Sequence, residues 1–242
     1  MFQMLTLLFC TLLLFLPSPS FAQQEGVSKG QSQLPVEAGS VNNFVSPGWK
    51  IEEKVAGDLN GDSIKDYALK LIEKQSDKED DERQRALVIV LGNKNGKLRR
   101  AAVNYKLLQC PMCGGLFYGG FAPANVRITK GVLVVEQENG SRELTSYTYR
   151  FRYEPDTGRF FLIGFDFVYR DHITVKSVSE SSNYLTGVRI VKRNDGKNVK
   201  TSRENVSMEK IYIEQVDRDK FSSDAISRLD MKFFEETIDD HQ

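Results

Sequence analysis

The stretch from Val188 to Arg203 carries the strongest fold-determining signal in this chain: Asn194-Asp195-Gly196 set between two strand-forming runs, Val188 to Lys192 and Asn198 to Arg203. Asn, Asp and Gly accept the positive φ angles that a tight hairpin turn demands, so this segment predicts two antiparallel strands. The same punctuation recurs upstream. The apolar run Ala86-Leu87-Val88-Ile89-Val90-Leu91 is short enough to be a strand buried on both faces. It stops at the turn cluster Gly92-Asn93-Lys94-Asn95-Gly96, and Leu98 to Val103 returns beside it. Val126 to Thr129 and Val132 to Gln137 pair across Lys130-Gly131, and Phe160 to Tyr169 follows the turn Glu154-Pro155-Asp156-Thr157-Gly158. Links this short cannot hold the crossover a parallel pair needs. The expected fold is therefore mainly β, α+β at most: an antiparallel meander or sandwich-like sheet.

Leu144 to Tyr153 alternates, with Tyr147, Tyr149, Phe151 and Tyr153 on one face and Thr148, Arg150 and Arg152 on the other. A base-stacking platform interleaves cations with aromatics on one face. Here the arginines point away, so the aromatic stripe is expected in the core. Lys plus Arg (33) equals Asp plus Glu (33), so no global field favours nucleic acid or an anionic membrane. Two segments break the strand pattern as helical candidates, and the stronger runs from Ser222 to Thr237 and extends to about residue 238, with Ala225, Ile226, Leu229, Phe233 and Phe234 on one stripe and Ser222 or Ser223 as cap. This helix is expected to cover an open sheet edge or face. Residues 75–85, rich in Asp, Glu and Lys, read as a solvated link between strands.

Residues 4–16 form a nearly unbroken apolar run, followed by Pro17, Pro19 and Ser20-Phe21-Ala22. That order predicts a signal peptide over residues 1–22, and hence a periplasmic or secreted protein with no membrane span after cleavage. The n-region lacks Lys and Arg, so a retained N-terminal anchor is the alternative. Residues 23–45 lack periodicity and read as a flexible leader, which leaves 46–242 as a single β-rich domain with its C-terminal helix.

Gly57-Asp58-Leu59-Asn60-Gly61-Asp62-Ser63-Ile64-Lys65-Asp66 is the segment most specific for chemistry. Asp58, Asn60, Asp62 and Asp66 place oxygens at loop positions 1, 3, 5 and 9, and the Ile64 carbonyl fills position 7. Hard cations take such all-oxygen sets, so the expected cofactor is Ca2+. Position 12 is Leu69, which excludes a full EF-hand. An Asx-rich turn that binds nothing is the bland alternative.

Cys110-Pro111-Met112-Cys113-Gly114-Gly115 admits three uses. Zinc needs two more ligands, and the chain offers only His172 and His241. A redox dithiol wants its first cysteine at a helix N-terminus, which Gly114-Gly115 disfavours. A small-loop disulfide between Cys110 and Cys113 locking a turn suits an exported protein. With two histidines no Ser/His/Asp arrangement is credible, so no catalytic residue is assigned.

The loop resembles the calcium loops of FG-GAP and VCBS-type repeats, present here in one copy, with Ser63 where those usually carry Gly. Its combination with the Cys-Pro-x-Cys-Gly-Gly motif and the hairpin Tyr149-Arg150-Phe151-Arg152-Tyr153 to Phe161-Leu162-Ile163-Gly164 is similar to a group of small exported bacterial proteins with no assigned activity. The resemblance covers roughly residues 47–200 and implies a bacterial periplasmic or cell-surface setting but no reaction. A non-enzymatic binding or envelope-associated module, with a protein or glycan ligand, is the resulting expectation. A periplasmic thiol-disulfide oxidoreductase using Cys110 and Cys113 and a lectin-like carbohydrate- or peptide-binding module are the alternatives.

Overall fold

The computed structural model describes residues 34–74, 83–116, 119–229 and 234. The expected signal peptide and residues 23–33 of the expected leader lie outside them.

Among the described residues twelve strands form two antiparallel sheets. The first contains β1 (Glu37–Ala38), β2 (Trp49–Gly57), β3 (Asp66–Glu73), β4 (Arg85–Gly92) and β5 (Leu98–Asn104), in the order β1-β5-β4-β3-β2. The second contains β6 (Ala124–Thr129), β7 (Val132–Gly140), β8 (Glu143–Glu154), β9 (Arg159–Asp171), β10 (Ser177–Asn183), β11 (Val188–Asn194) and β12 (Val199–Asn205). Its order, β12 through to β6, is an uninterrupted meander. Short hairpin links dictate this, because a strand that turns back within a few residues can only pair with its predecessor. The helix α1 (Arg218–Leu229) follows. No described helix is long and apolar enough to cross a membrane.

The sheets share one core. Ala68, Leu87, Ile89, Leu91 and Ala102 of the first sheet pack with Val126, Leu133, Val135, Tyr149, Phe151, Leu162 and Phe165 of the second. Tyr147, Tyr149 and Phe151 are buried, so the aromatic stripe is core, as its arginine-free face implies. At Gly57 the sheets approach closely: a Cβ there would lie 2.5 Å from the Ile128 side chain.

The opposite face of the first sheet is also covered. Leu69, Leu71, Ala86, Val88, Val90 and Leu98 pack with Leu34 and Phe44, which explains why β4 reads as a continuous apolar run. Here the leader expected over 23–45 needs correction. Residues 34–45 are packed: Phe44 is fully buried, and β1 pairs with β5 through Glu37 and Ala38. A face of six apolar side chains requires a lid, and Leu34 and Phe44, with Ala38, Val41 and Val45 packed beside them, anchor one without any periodicity in the sequence.

Three further elements depart from the sequence pattern. β2 has alternating partly buried and exposed residues and pairs with β3, ahead of the acidic loop. β10, Ser-Val-Ser-Glu-Ser-Ser-Asn, has Val178 as its one strong strand former; it exists because β9 and β11 pair with it on both sides. The helix starts at Arg218 instead of Ser222. Asp217 accepts the Asp219 N–H at 3.1 Å and the Lys220 N–H at 3.4 Å, so it takes the cap that Ser222 or Ser223 was expected to provide. Ser222 instead pairs with the Tyr147 hydroxyl at 2.9 Å. Residues 230–233 and 235–238 of the expected helix lie outside the described residues.

Candidate functional site

β2 delivers the chain to Gly57 and β3 takes it up at Asp66, so the acidic loop is a connection whose backbone amides have no strand partner. Its own side chains supply them. Asp58 accepts the Gly61 N–H at 2.7 Å and the Ser63 N–H at 3.0 Å. Asn60 accepts the Asp62 N–H at 3.1 Å and donates to Asp62 at 3.0 Å. Asp62 accepts the Ile64 N–H at 2.7 Å. Short Asx side chains reach backbone donors a few residues on, which is why they favour turns over strands. Gly61 (φ 82°) and Ser63 (φ 64°) both adopt the left-handed conformation. Serine pays about 1 kcal/mol for it, a cost that glycine does not bear.

Asp66 differs from the rest of the set. It is fully buried, and it accepts the Leu59 N–H at 2.7 Å and the Gly92 N–H at 2.8 Å. One carboxylate thus ties the loop to the end of β4. Gly92 completes the joint, since a Cβ there would lie 2.6 Å from the Lys65 carbonyl oxygen. Sequence reasoning assigned Gly92 only to a turn; nothing local marks it as the partner of a carboxylate 26 residues away. Burial pushes the Asp66 carboxyl above its usual range, the two N–H bonds pull it back, and Asp62 and Asp58 push it up again, with a net rise.

Asp58, Asp62 and Asp66 therefore share one loop, and among the described residues no Lys or Arg forms an ion pair with them. Their oxygens face backbone amides. Among the described residues no three His, Cys, Asp or Glu side chains converge as a metal-binding group. The donor chemistry nonetheless fits a hard cation. A carboxylate has about four lone-pair sites, so an oxygen that accepts one N–H keeps capacity for an ion.

The second irregular segment joins β5 to β6. Cys110 and Cys113 form a disulfide with a Cα separation of 5.3 Å, and the Cys113 N–H donates to the Cys110 carbonyl at 3.3 Å. A bonded pair offers no thiolates to zinc, and no described helix starts at either cysteine. His172 lies in the β9–β10 turn, its backbone N–H donating to the Arg142 carbonyl at 3.1 Å; His241 is outside the described residues.

The glycines that follow are a close crossing of backbone. The Gly114 N–H donates to the Gly120 carbonyl and the Gly140 N–H to the Gly114 carbonyl, both at 2.9 Å. A Cβ on Gly114 would sit 1.7 Å from the Phe121 carbonyl oxygen.

Distant side chains hold this segment. Gln137 accepts the Gln109 N–H at 2.7 Å and donates to the Leu107 carbonyl at 2.9 Å. Gln109 donates to the carbonyls of Pro123 at 2.7 Å and Glu138 at 2.9 Å. Arg85, 1% exposed, donates to the Ala122 carbonyl at 2.8 Å and grips Glu52 with two bonds, at 2.8 and 2.6 Å. A bulge in β2 makes this possible: the register shifts between Ile51 and Glu53, so Glu52 is the extra residue. Glu52 and Glu53 then both meet cations, Glu53 pairing at 2.8 Å with Lys70, which also donates to the Ala124 carbonyl at 2.9 Å.

No protein-family model, curated protein or solved structure matches the chain. The functional reading therefore rests on the geometry of these two segments.

Proposed function

We propose that this protein is an exported calcium-binding β domain that works as a non-enzymatic binding or envelope-associated module. The observation that carries the reading is the three-carboxylate loop with no cationic partner among the described residues, whose buried member, Asp66, is raised chiefly by burial, with a smaller push from the repulsion of Asp62 and Asp58. A divalent cation held by Asp58, Asn60, Asp62, Asp66 and the Ile64 carbonyl would offset that repulsion and brace the corner where β2, β3 and β4 meet. The resemblance to FG-GAP and VCBS-type loops supports the same ion, and the apolar run at residues 4–16 supports export. The disulfide at Cys110–Cys113 agrees with an oxidising compartment. A polar hollow of about 310 Å³, lined by Asn125, Glu136, Glu138, Ser146 and Thr148 among others, offers hydrogen-bonding groups to a glycan or extended peptide.

Thermal unfolding with added Ca2+ and with chelator tests the ion. Calcium at 100 times its Kd stabilises by about 2.7 kcal/mol, so Tm should rise with calcium and fall with chelator. The response should shrink from pH 7 to pH 5, because protons compete for a carboxyl whose pKa is raised. No change in either direction, with Asp62→Ala also silent, sinks the calcium reading.

A further inference from the structure

β12 ends the seven-stranded sheet, and every one of its residues from Val199 to Asn205 is exposed. An unprotected edge presents free N–H and C=O groups to any strand that fits. Which groups are free follows from the ladder to β11. At its two ends the Asp195 N–H donates to the Asn198 carbonyl at 3.1 Å and the Val206 N–H to the Gly187 carbonyl at 2.7 Å, and no register shift lies between. Bonded pairs alternate along an antiparallel ladder. Lys200, Ser202 and Glu204 therefore bond inward to β11, while Val199, Thr201, Arg203 and Asn205 point their backbone groups outward.

The charges on this edge are incomplete within one chain. Lys200 lies across from Arg193, a like charge, and Arg193 donates to the Leu229 carbonyl at 3.0 Å. Glu204 lies across from Arg189, which is drawn to Glu180 at 3.4 Å. Among the described residues neither Lys200 nor Glu204 has an ion pair.

We propose that β12 pairs antiparallel with β12 of a second copy of this chain, centred on Ser202, to make one continuous sheet across the dimer. In that register Thr201 meets Arg203 and Val199 meets Asn205, each twice, so all four outward-facing residues of each strand exchange backbone hydrogen bonds. The same register sets Lys200 opposite Glu204 twice, in the non-bonded positions where Cα atoms approach to about 4.5 Å. Sliding one strand by a single residue sets outward-facing residues against inward-facing ones. Sliding by two keeps the bonding phase but parts Lys200 from Glu204 and shortens the overlap. Only the centred register satisfies backbone and charge together. An edge of one strand buries little apolar surface, so the dimer is weak and concentration-dependent.

Ser202 faces itself across the two-fold axis, which makes the register testable by cross-linking. Cysteines at about 4.5 Å fall within the Cα range of about 4.4–6.8 Å that a disulfide accepts. Full-length Ser202→Cys should oxidise to a covalent dimer in mild oxidant, whereas Thr201→Cys, on the other face of the strand, should not. Sedimentation should show a monomer–dimer equilibrium that Glu204→Lys weakens about tenfold or more. The double variant Lys200→Glu with Glu204→Lys should restore it. A monomer at every accessible concentration overturns the proposal. So does equal cross-linking at residues 201 and 202, and so does a charge swap that fails to restore association. All these positions are exposed, so folding is not at stake.

Discussion

β4 runs between two irregular segments that satisfy their backbones in opposite ways. At its Gly92 end stands the acidic loop, whose bonds among Asp58, Asn60, Asp62, Ser63 and Ile64 span two to five residues. At its Arg85 end stands the Cys110 segment, tied by Gln137, Gln109 and Arg85 through bonds that span 14 to 37 residues. A locally closed loop can be altered at little cost to the sheets. A segment closed by distant side chains shares the fate of the core, because each of those side chains is buried and has no water to fall back on.

The sharpest way to break this contrast is Arg85→Met. The substitution leaves the buried Ala122 carbonyl without its donor, at about 1–3 kcal/mol, and removes two charge-assisted bonds to Glu52, worth about 1.5–3 kcal/mol more even though that carboxylate still reaches water. Urea unfolding should report that loss. Adding Glu52→Gln should recover part of it, since the stranded charge is then removed. Amide exchange should accelerate across residues 106–116 and leave the acidic loop unchanged. A cost under about 1 kcal/mol would mean that the disulfide and the glycine crossing hold the segment unaided.

The same division explains what was legible in the sequence. Turn chemistry and apolar periodicity are local, so the hairpins at Lys130-Gly131 and Asp195-Gly196, the strands β4 through β9, and the Asx loop could all be read from neighbouring residues. β10 could not, because its polar residues become a strand only through two partners. The packing of residues 34–45 escaped because Leu34 and Phe44 respond to a face built from β3, β4 and β5. At the candidate site the donor spacing was visible. The commitment of Asp66 to Leu59 and Gly92 was not, because Gly92 becomes its neighbour only once β3 and β4 pair.

Asp66 is where the two regimes meet: a loop residue bonded to a distant strand end. Asp66→Asn keeps one acceptor oxygen but turns an NH2 group toward the other amide, leaving a buried N–H unpaired at about 1–3 kcal/mol. The effect should fall below that of Arg85→Met. In chelator its pH dependence has a definite sign. The folded-state pKa of Asp66 is raised, so on acidification the folded chain takes up this proton before the unfolded chain does. That contribution therefore grows as pH falls through the raised pKa towards the ordinary value of about 3.9. Asn cannot titrate, so the stability gap between wild type and Asp66→Asn should widen over that window. A gap that is flat or narrows with acid would place the Asp66 pKa at or below normal.

Ser63→Gly should have the smallest effect and draws the contrast most finely. Gly adopts a φ of 64° freely, which relieves about 1 kcal/mol of strain, but it also gives the unfolded chain more freedom, at about 0.4–1 kcal/mol. The two nearly cancel, so in chelator the unfolding free energy should move by no more than about 0.5 kcal/mol. No long-range bond intervenes, since the Ser63 N–H closes onto Asp58 within the loop and a glycine N–H does the same. Calcium should separate the outcomes. If strain at Ser63 holds the loop away from its best coordinating shape, Ser63→Gly should bind calcium more tightly while its calcium-free stability is unchanged. A large loss of stability without calcium would show that the Ser63 side chain does more than occupy a turn. The acidic loop would then belong, like the Cys110 segment, to the structure held from outside.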